Sequence, residues 1–307
     1  MNQKTEAART VAQKVQSAHA MQAGLILLNK KPGVTSFEAL GEVKRALGSG
    51  KVGHTGTLDK FAQGLLTVLT GRALRLSPWF SHCDKQYRGR IHFGAETDTL
   101  DPEGDVIAEA EAPSREKVER AIQMFKGKIM QKPPVFSAIH VNGQRASKLA
   151  RSGEPPEMKE RAVTIYDLKL EEWHPPFADI FVHCSSGTYI RSLARDIALE
   201  AGSRAFLCSL TRIQIAGFKL EDAVNGENQS SSSPLPITKT VIASLGLPWV
   251  EVTPLEAENI FHGKPLAPIM EKKPLSSHNA TAVFNGETLI AVVEKIDGAW
   301  KYGCVLV

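Results

Sequence analysis

The sequence predicts an α+β protein: a mixed, largely antiparallel sheet flanked by helices and loops, with a small β-rich module at its C-terminal end. Three observations lead there. Helical and strand-like segments follow one another without the evenly spaced strand–helix–strand units of a parallel sheet. Residues alternate between apolar and polar over Tyr87–Phe93 and Phe177–Cys184, the pattern of half-buried strands. Beyond residue 250, short apolar runs are separated by Asn285-Gly286 and Asp297-Gly298, dipeptides that build hairpin turns.

In chain order, residues 1–23 are polar and rich in Ala, Gln and Lys, which predicts a flexible extension. They lack a signal-peptide core and the long Arg/Ser-rich pattern of a transit peptide, and Met21 is a candidate start of translation. Leu25-Ile26-Leu27-Leu28 reads as a buried strand stopped by the turn signal Lys31-Pro32-Gly33. Thr35 and Glu38 have capping-box spacing, and Phe37, Leu40, Val43 and Leu47 form one helix face ending at Gly48. Gly53-His54-Thr55-Gly56-Thr57-Leu58-Asp59 follows as turn chemistry, since neither Gly nor Asp is favoured inside a strand or helix. Its glycines permit a positive φ or a close approach, and it presents one carboxylate just ahead of the apolar run Leu65–Leu69.

Further helices are predicted over Ser114–Lys126, with Val118, Ile122 and Phe125 on one face, and over Tyr189–Ala201, burying Ile190, Leu193, Ala194 and Ile197. Gly127 and Gly202 lie just past their ends. Asn225–Pro236 contains four consecutive serines and a proline, the composition of a linker or loop of little order. Short strands are expected at residues 280–284, 289–294 and 300–307. The expected organisation is an extension over 1–23, a main domain over 24–245 and the β-rich module over 250–307.

Composition bounds the function. With 307 residues, 42% hydrophobic and 23% charged, the chain is ordinary for a globular protein of one large domain plus a small one. A formal charge of +4 permits a polyanionic partner without requiring one. Cys83, Cys184, Cys208 and Cys304 are far apart, which predicts reduced thiols of a cytoplasmic protein rather than a disulfide framework or zinc site. No apolar stretch is long enough to cross a bilayer.

An aspartate after a turn is ordinarily a helix cap; its company downstream points elsewhere. Lys85-Gln86-Tyr87-Arg88 is followed by Gly94-Ala95-Glu96-Thr97-Asp98-Thr99-Leu100-Asp101-Pro102-Glu103-Gly104, then by Gln131-Lys132-Pro133-Pro134-Val135-Phe136-Ser137-Ala138, and finally by Ser186-Gly187-Thr188-Tyr189-Ile190-Arg191-Ser192-Leu193. In this order, and with the heptapeptide, these segments closely resemble the TruB family of pseudouridine synthases over roughly residues 24–223.

The resemblance implies a pseudouridine-synthase-like fold and isomerisation of a uridine in RNA, at position 55 in the T-arm loop of tRNA. The isomerisation changes no oxidation state, so no cofactor or metal is expected, nor a protein partner; a monomer is. The family's catalytic aspartate falls on Asp59, a residue suited to act as nucleophile and then leave. Arg191 matches the arginine that pairs with it, and Tyr87 the tyrosine that stacks on the target base. Tyr189 and Leu210 are expected to line the pocket, His54 to hold flipped-out nucleotides, and Asp101 to hydrogen-bond in the same network. Read without the family, Arg191 is a surface arginine, Tyr87 and Leu210 are core packing, and His54 and Asp101 are turn residues.

Six basic residues and no acidic one stand between Lys126 and Arg151, and Arg145 and Lys148 are candidate phosphate contacts. The family carries an RNA-contacting insert there (126–153), and its bacterial members a small PUA-like RNA-binding domain at the C-terminal end. The chain departs from the family's usual pattern at Lys60, Phe61, Gln63, Phe136, His140 and Thr211, where substrate range rather than chemistry is expected to differ. Two other readings are a non-catalytic RNA-binding protein and a guide-RNA-dependent ribosomal RNA enzyme. The joint presence of Asp59, Tyr87 and Arg191 argues against the first, and the long insert with a short C-terminal module against the second.

Overall fold

The computed structural model describes residues 23–48, 50–223, 233–273 and 279–306. Met21, the N-terminal extension up to residue 22 and most of the serine-rich stretch lie outside the described residues. The elements used below are β1 (Gly24–Lys30), α1 (Ser36–Leu47), β2 (Val52–His54), β3 (Gln63–Thr70), β4 (Lys85–Phe93), α2 (Arg115–Met124), β5 (Gly127–Gln131), β6 (Arg161–His174), β7 (Phe177–Cys184), α3 (Ile190–Glu200), β8 (Ala205–Ile215), β9 (Phe218–Lys219), β10 (Trp249–Glu251), α4 (Pro254–Phe261), β11 (Ala280–Asn285), β12 (Thr288–Ile296) and β13 (Ala299–Val305).

The large sheet runs β1-β3-β8-β4-β7-β6-β5, with β2 on β3 and β9 on β8. Every pairing in it is antiparallel except β3 with β8, which meet only at Gln63–Thr211 and Gly64–Arg212. That crossing needs a glycine: Gly64 has φ +106°, and a Cβ there would lie 2.4 Å from the Arg212 carbonyl oxygen.

The continuous apolar runs of β1 and β3 are explained by burial on both faces. Leu25, Leu27, Leu65 and Leu69 point to one side, while Ile26, Leu28, Leu66 and Val68 pack on the other under Leu40 and Val43 of α1. The capping box forms as its spacing predicts: Thr35 accepts from the Glu38 N–H while the Glu38 carboxylate accepts from that of Thr35. Farther along the sheet, α2 and α3 lay Val118, Ile122, Leu193 and Ile197 over Ile91, Ile165, Ile180, Val182 and Leu207. Both helices are slightly shorter than their periodicity predicts, with Ser114 and Tyr189 standing as N-caps outside them.

Residues 249–306 form a second sheet in the order β10-β11-β12-β13, around Val250, Ile260, Val283, Ile290 and Val293. Its other face belongs to the first sheet's core, because Ala282, Phe284, Leu289 and Val292 pack with Leu25, Leu65, Leu69 and Phe80. Leu235, within the segment read as a loop of little order, exchanges two 2.8 Å backbone hydrogen bonds with Leu25 and covers the open edge of β1. Among the described residues no helix is long and apolar enough to cross a membrane.

Candidate active site

The heptapeptide is part strand. Gly53 and His54 belong to β2, opposite Leu69 and Val68 of β3, and only from Thr55 does the chain turn away. Gly53 has no positive φ, and a Cβ there would meet only the side-chain tip of Leu74, Cδ2 at 2.9 Å, which would have to shift.

From Thr55 to Lys60 every backbone carbonyl is bonded. Thr55 O accepts from Ser81 Oγ at 2.6 Å, Gly56 O from Arg212 Nη2 at 3.1 Å and Thr57 O from Arg212 Nη1 at 3.4 Å. Leu58 O accepts from Ser36 Oγ at 3.0 Å, and the same hydroxyl accepts from Leu58 N–H at 2.8 Å. Asp59 O accepts from Ala62 N–H, and Lys60 O from Gly33 N–H and from Lys30 Nζ. A loop that would otherwise be mobile is thereby fixed at each residue.

This loop sets the Asp59 carboxylate against Arg191, in the first turn of α3. The pair is bidentate, with Nε to Oδ2 at 2.8 Å and Nη2 to Oδ1 at 2.9 Å. The same guanidinium donates to Thr99 O at 2.6 Å and Phe136 O at 3.0 Å, and its Nη1 stands 3.1 Å from Asp101 Oδ2. The arginine side chain is only 4% exposed whereas that of Asp59 is 33% exposed, so the carboxylate is the accessible end of the pair. Asp101 is buried behind them, and burial pushes its carboxyl up despite hydrogen bonds from Thr99 Oγ1 and Glu103 N–H and the nearby Arg191 charge.

Asp59 opens onto a cavity of about 380 Å³, within the range of small-ligand sites. Tyr87, Tyr189, Leu210, Lys85 and Arg212 share its lining. Tyr87 is buried on β4, and loss of hydration pushes its phenol up to about 12. Tyr189 is held through its backbone: Gln131 Oε1 accepts from its N–H at 2.8 Å and Gln131 Nε2 donates to its carbonyl at 3.1 Å. Burial raises the Tyr189 phenol as well.

Of the residues singled out from sequence, Asp59, Tyr87, Tyr189 and Leu210 come together on this lining, with Arg191 and Asp101 directly behind Asp59. His54 stands to one side at the end of β2. Its Nδ1 is buried without a hydrogen-bond partner among the described residues, and burial, then Arg212, lowers its pKa. Arg145 and Lys148 are exposed on the short hairpin and helix that follow β5, away from the cavity lining. Among the described residues no group of His, Cys, Asp or Glu is arranged to hold a metal.

Ser36, Lys85, Gln131 and Arg212 were not legible as site residues. Arg212 stands out afterwards as a fully buried arginine. It lies opposite Tyr87 on the neighbouring strand and donates to the loop carbonyls of Gly56 and Thr57 and to Leu65 O. No local pattern marks it, because Ser209, Thr211 and Gln214 stand around it in β8; its burial is costly unless a specific set of acceptors awaits it.

Comparison with known proteins agrees with this geometry. Residues 44–190 match the model of the TruB family pseudouridylate synthase N-terminal domain. The tRNA pseudouridine synthase B of Borreliella burgdorferi (strain ZS7) is 41% identical over 216 residues, 69% of this chain and 77% of that one. The protein of the same description from Synechococcus sp. (strain WH7803) is 38% identical over 256 residues, 80% of this chain and 85% of its own. Among solved structures, a chain of a Cbf5-Nop10-Gar1 complex superposes with a TM-score of 0.71 at 23% identity, covering 94% of this chain and 86% of that one, a likeness of fold. The extent and level of these sequence matches show that the chain belongs to the TruB family of pseudouridine synthases.

Proposed function

We propose that this protein converts the uridine at position 55, in the T-arm loop of tRNA, into pseudouridine. It acts as a cytoplasmic monomer, without guide RNA, protein partner, cofactor or metal. Members of its family are isomerases, and the tRNA specificity follows the names of the bacterial relatives. The observation that carries the reading is the bidentate Asp59–Arg191 pair opening onto a cavity walled by Tyr87.

The target base is stacked inside a folded loop and must be turned out to enter such a cavity, at a cost of a few kcal/mol. Tyr87 offers an aromatic face for the extruded uracil, and Leu210 and Tyr189 add further walls to the half-open cavity. Asp59 acts as the nucleophile, its orientation fixed by two hydrogen bonds to one rigid guanidinium. Asp101 is a positioning residue, holding Arg191 from the side opposite Asp59. His54 supports the turned-out nucleotides. The exposed basic residues of 126–153, Arg145 and Lys148 among them, contact phosphates, and the C-terminal sheet serves as a PUA-like RNA-binding domain.

The test is to incubate the purified protein with an unmodified tRNA transcript, map pseudouridine by position, and repeat with Asp59→Asn. The expected result is pseudouridine at position 55 from the wild type and none above background from the variant, with tRNA affinity kept. Absence of product from the wild type overturns the substrate, and undiminished product from Asp59→Asn overturns the nucleophile.

A further inference from the structure

Three cations are buried around this site without a carboxylate within 4 Å among the described residues: Lys30, Lys85 and Arg212. Burying a charge without a counter-ion is expensive, so each calls for a reason. Two have structural ones. Lys30 Nζ donates to the carbonyls of Lys31, Val34 and Lys60, pinning the turn after β1 to the residue after Asp59. Arg212 spends its N–H groups on Leu65 O, Gly56 O and Thr57 O.

Lys85 is different. Its Nζ donates to Ser81 O at 3.0 Å and to Cys83 O, which leaves one of three N–H bonds without an acceptor among the described residues. It lines the same cavity as Asp59 and Tyr87. It also stands two residues before Tyr87 on β4, where burial alternates so that both side chains leave the same face. A base stacked on Tyr87 therefore has Lys85 at its edge, about 6–7 Å along the strand.

Breaking the bond between ribose C1′ and uracil N1 leaves the bonding pair on the base. The departing uracil is an anion whose charge spreads from N1 onto its O2 and O4 carbonyl oxygens. We propose, on the reading of this protein as a uridine isomerase, that Lys85 is a further catalytic residue: its ammonium donates a hydrogen bond to a carbonyl oxygen of the detached uracil and stabilises that anion until C5 rejoins the sugar. The balance is simple. Asp59 supplies the pair that bonds C1′ as N1 leaves, and C5 then supplies the pair that displaces Asp59. The ring loses the proton on C5 and gains one on N1, so the product is an isomer. Lys85 stays protonated throughout and need not give up its proton.

The surroundings suit the role. Burial, then the positive charge of Arg212, lowers Lys85 to about 8, so the ammonium is charged at neutral pH yet poorly hydrated. The other titratable groups facing it are Cys83 and Cys184, both raised by burial and neutral at that pH, and Asp84, which accepts a hydrogen bond from Tyr166. A preorganised donor aimed at developing negative charge is worth roughly a hundredfold to a thousandfold in rate.

The experiment compares wild type, Lys85→Met and Lys85→Arg on an unmodified tRNA. It measures the single-turnover rate, tRNA affinity, thermal melting and the pH profile of kcat/KM. Wild-type product formation tests the isomerase reading separately. Given that product, Lys85→Met is expected to be at least about a hundredfold slower with affinity within about threefold, and Lys85→Arg to recover most of the rate. The wild-type kcat/KM falls as pH rises through about 8, where Lys85 loses its proton. In Lys85→Arg this alkaline limb moves upward; a limb that stays in place assigns it to Lys30, also lowered to about 8 mainly by burial, and overturns the proposal. Three results also overturn it: Lys85→Met at the wild-type rate, rate and affinity lost by the same factor, or Lys85→Arg as slow as Lys85→Met. If the Lys85 variants fail to melt as folded proteins, the wild-type profile is compared with that of Lys30→Arg: a limb falling through about 8 in both upholds the proposal, whereas a flat wild-type profile, or a limb that moves upward in Lys30→Arg, overturns it.

Discussion

Ser36→Ala tests whether the loop that carries Asp59 is held from outside. The hydroxyl is buried in the first turn of α1 and makes two hydrogen bonds to one residue, accepting from Leu58 N–H at 2.8 Å and donating to Leu58 O at 3.0 Å. Alanine keeps the helix but strands both groups beside a leucine that is itself buried. An unsatisfied buried donor costs about 1–3 kcal/mol. The loss falls on the residue preceding Asp59, the proposed nucleophile, so it is expected twice. Denaturant unfolding should show a stability lower by about 1–3 kcal/mol with an unchanged m value. The single-turnover rate should fall by roughly tenfold, equivalent to about 1.4 kcal/mol, with tRNA affinity unchanged. Thr35→Ala is the control, because it removes the adjacent capping box at a cost of about 1 kcal/mol without touching Leu58. It should lower stability and leave the rate alone. A wild-type rate in Ser36→Ala, or an equal loss of rate in Thr35→Ala, refutes the reasoning.

Two further outcomes follow from the geometry. Gln131→Ala removes both side-chain bonds to the Tyr189 backbone and should cost about 1–3 kcal/mol in denaturant unfolding, with a larger effect on kcat than on KM. The double variant Arg145→Ala with Lys148→Ala should weaken tRNA binding and flatten the plot of log affinity against log salt by about 1.4–1.8, with single-turnover chemistry at saturation unchanged.

The parts of this fold legible in sequence are those with local causes. The capping box of α1, the alternation of β7 and the amphipathic stripe of α3 need only neighbours in the chain, and they emerge within a residue or so of their expected bounds. Strands β6 and β8 are hidden because bulges break their alternation, between Ile165 and Asp167 and between Leu170 and Glu172 in one, and at two places in the other. The site divides the same way. Asp59, Tyr87 and Arg191 sit in recognisable motifs, but Arg191 reads as a surface residue until the loops at Thr99 and Phe136 close over it. Gln131, Ser36 and Arg212 act through pairings between strands and loops far apart in the chain, which no local pattern encodes, whereas Lys85 bonds the nearby Ser81 and Cys83 and is placed at the cavity only by the fold. Arg212 meets Tyr87 only through the register of β8 on β4.

The face of the large sheet built from Leu25, Leu65 and Leu69 is covered by Phe284, Leu289 and Val292, near the end of the chain. During synthesis that apolar face has no cover until those last strands have emerged from the ribosome, and β3, which anchors the end of the Asp59 loop, is one of the strands left bare. A truncation that spares every residue of the candidate site but removes Phe284, Leu289 and Val292 leaves β3, and the loop it anchors, on an uncovered apolar face.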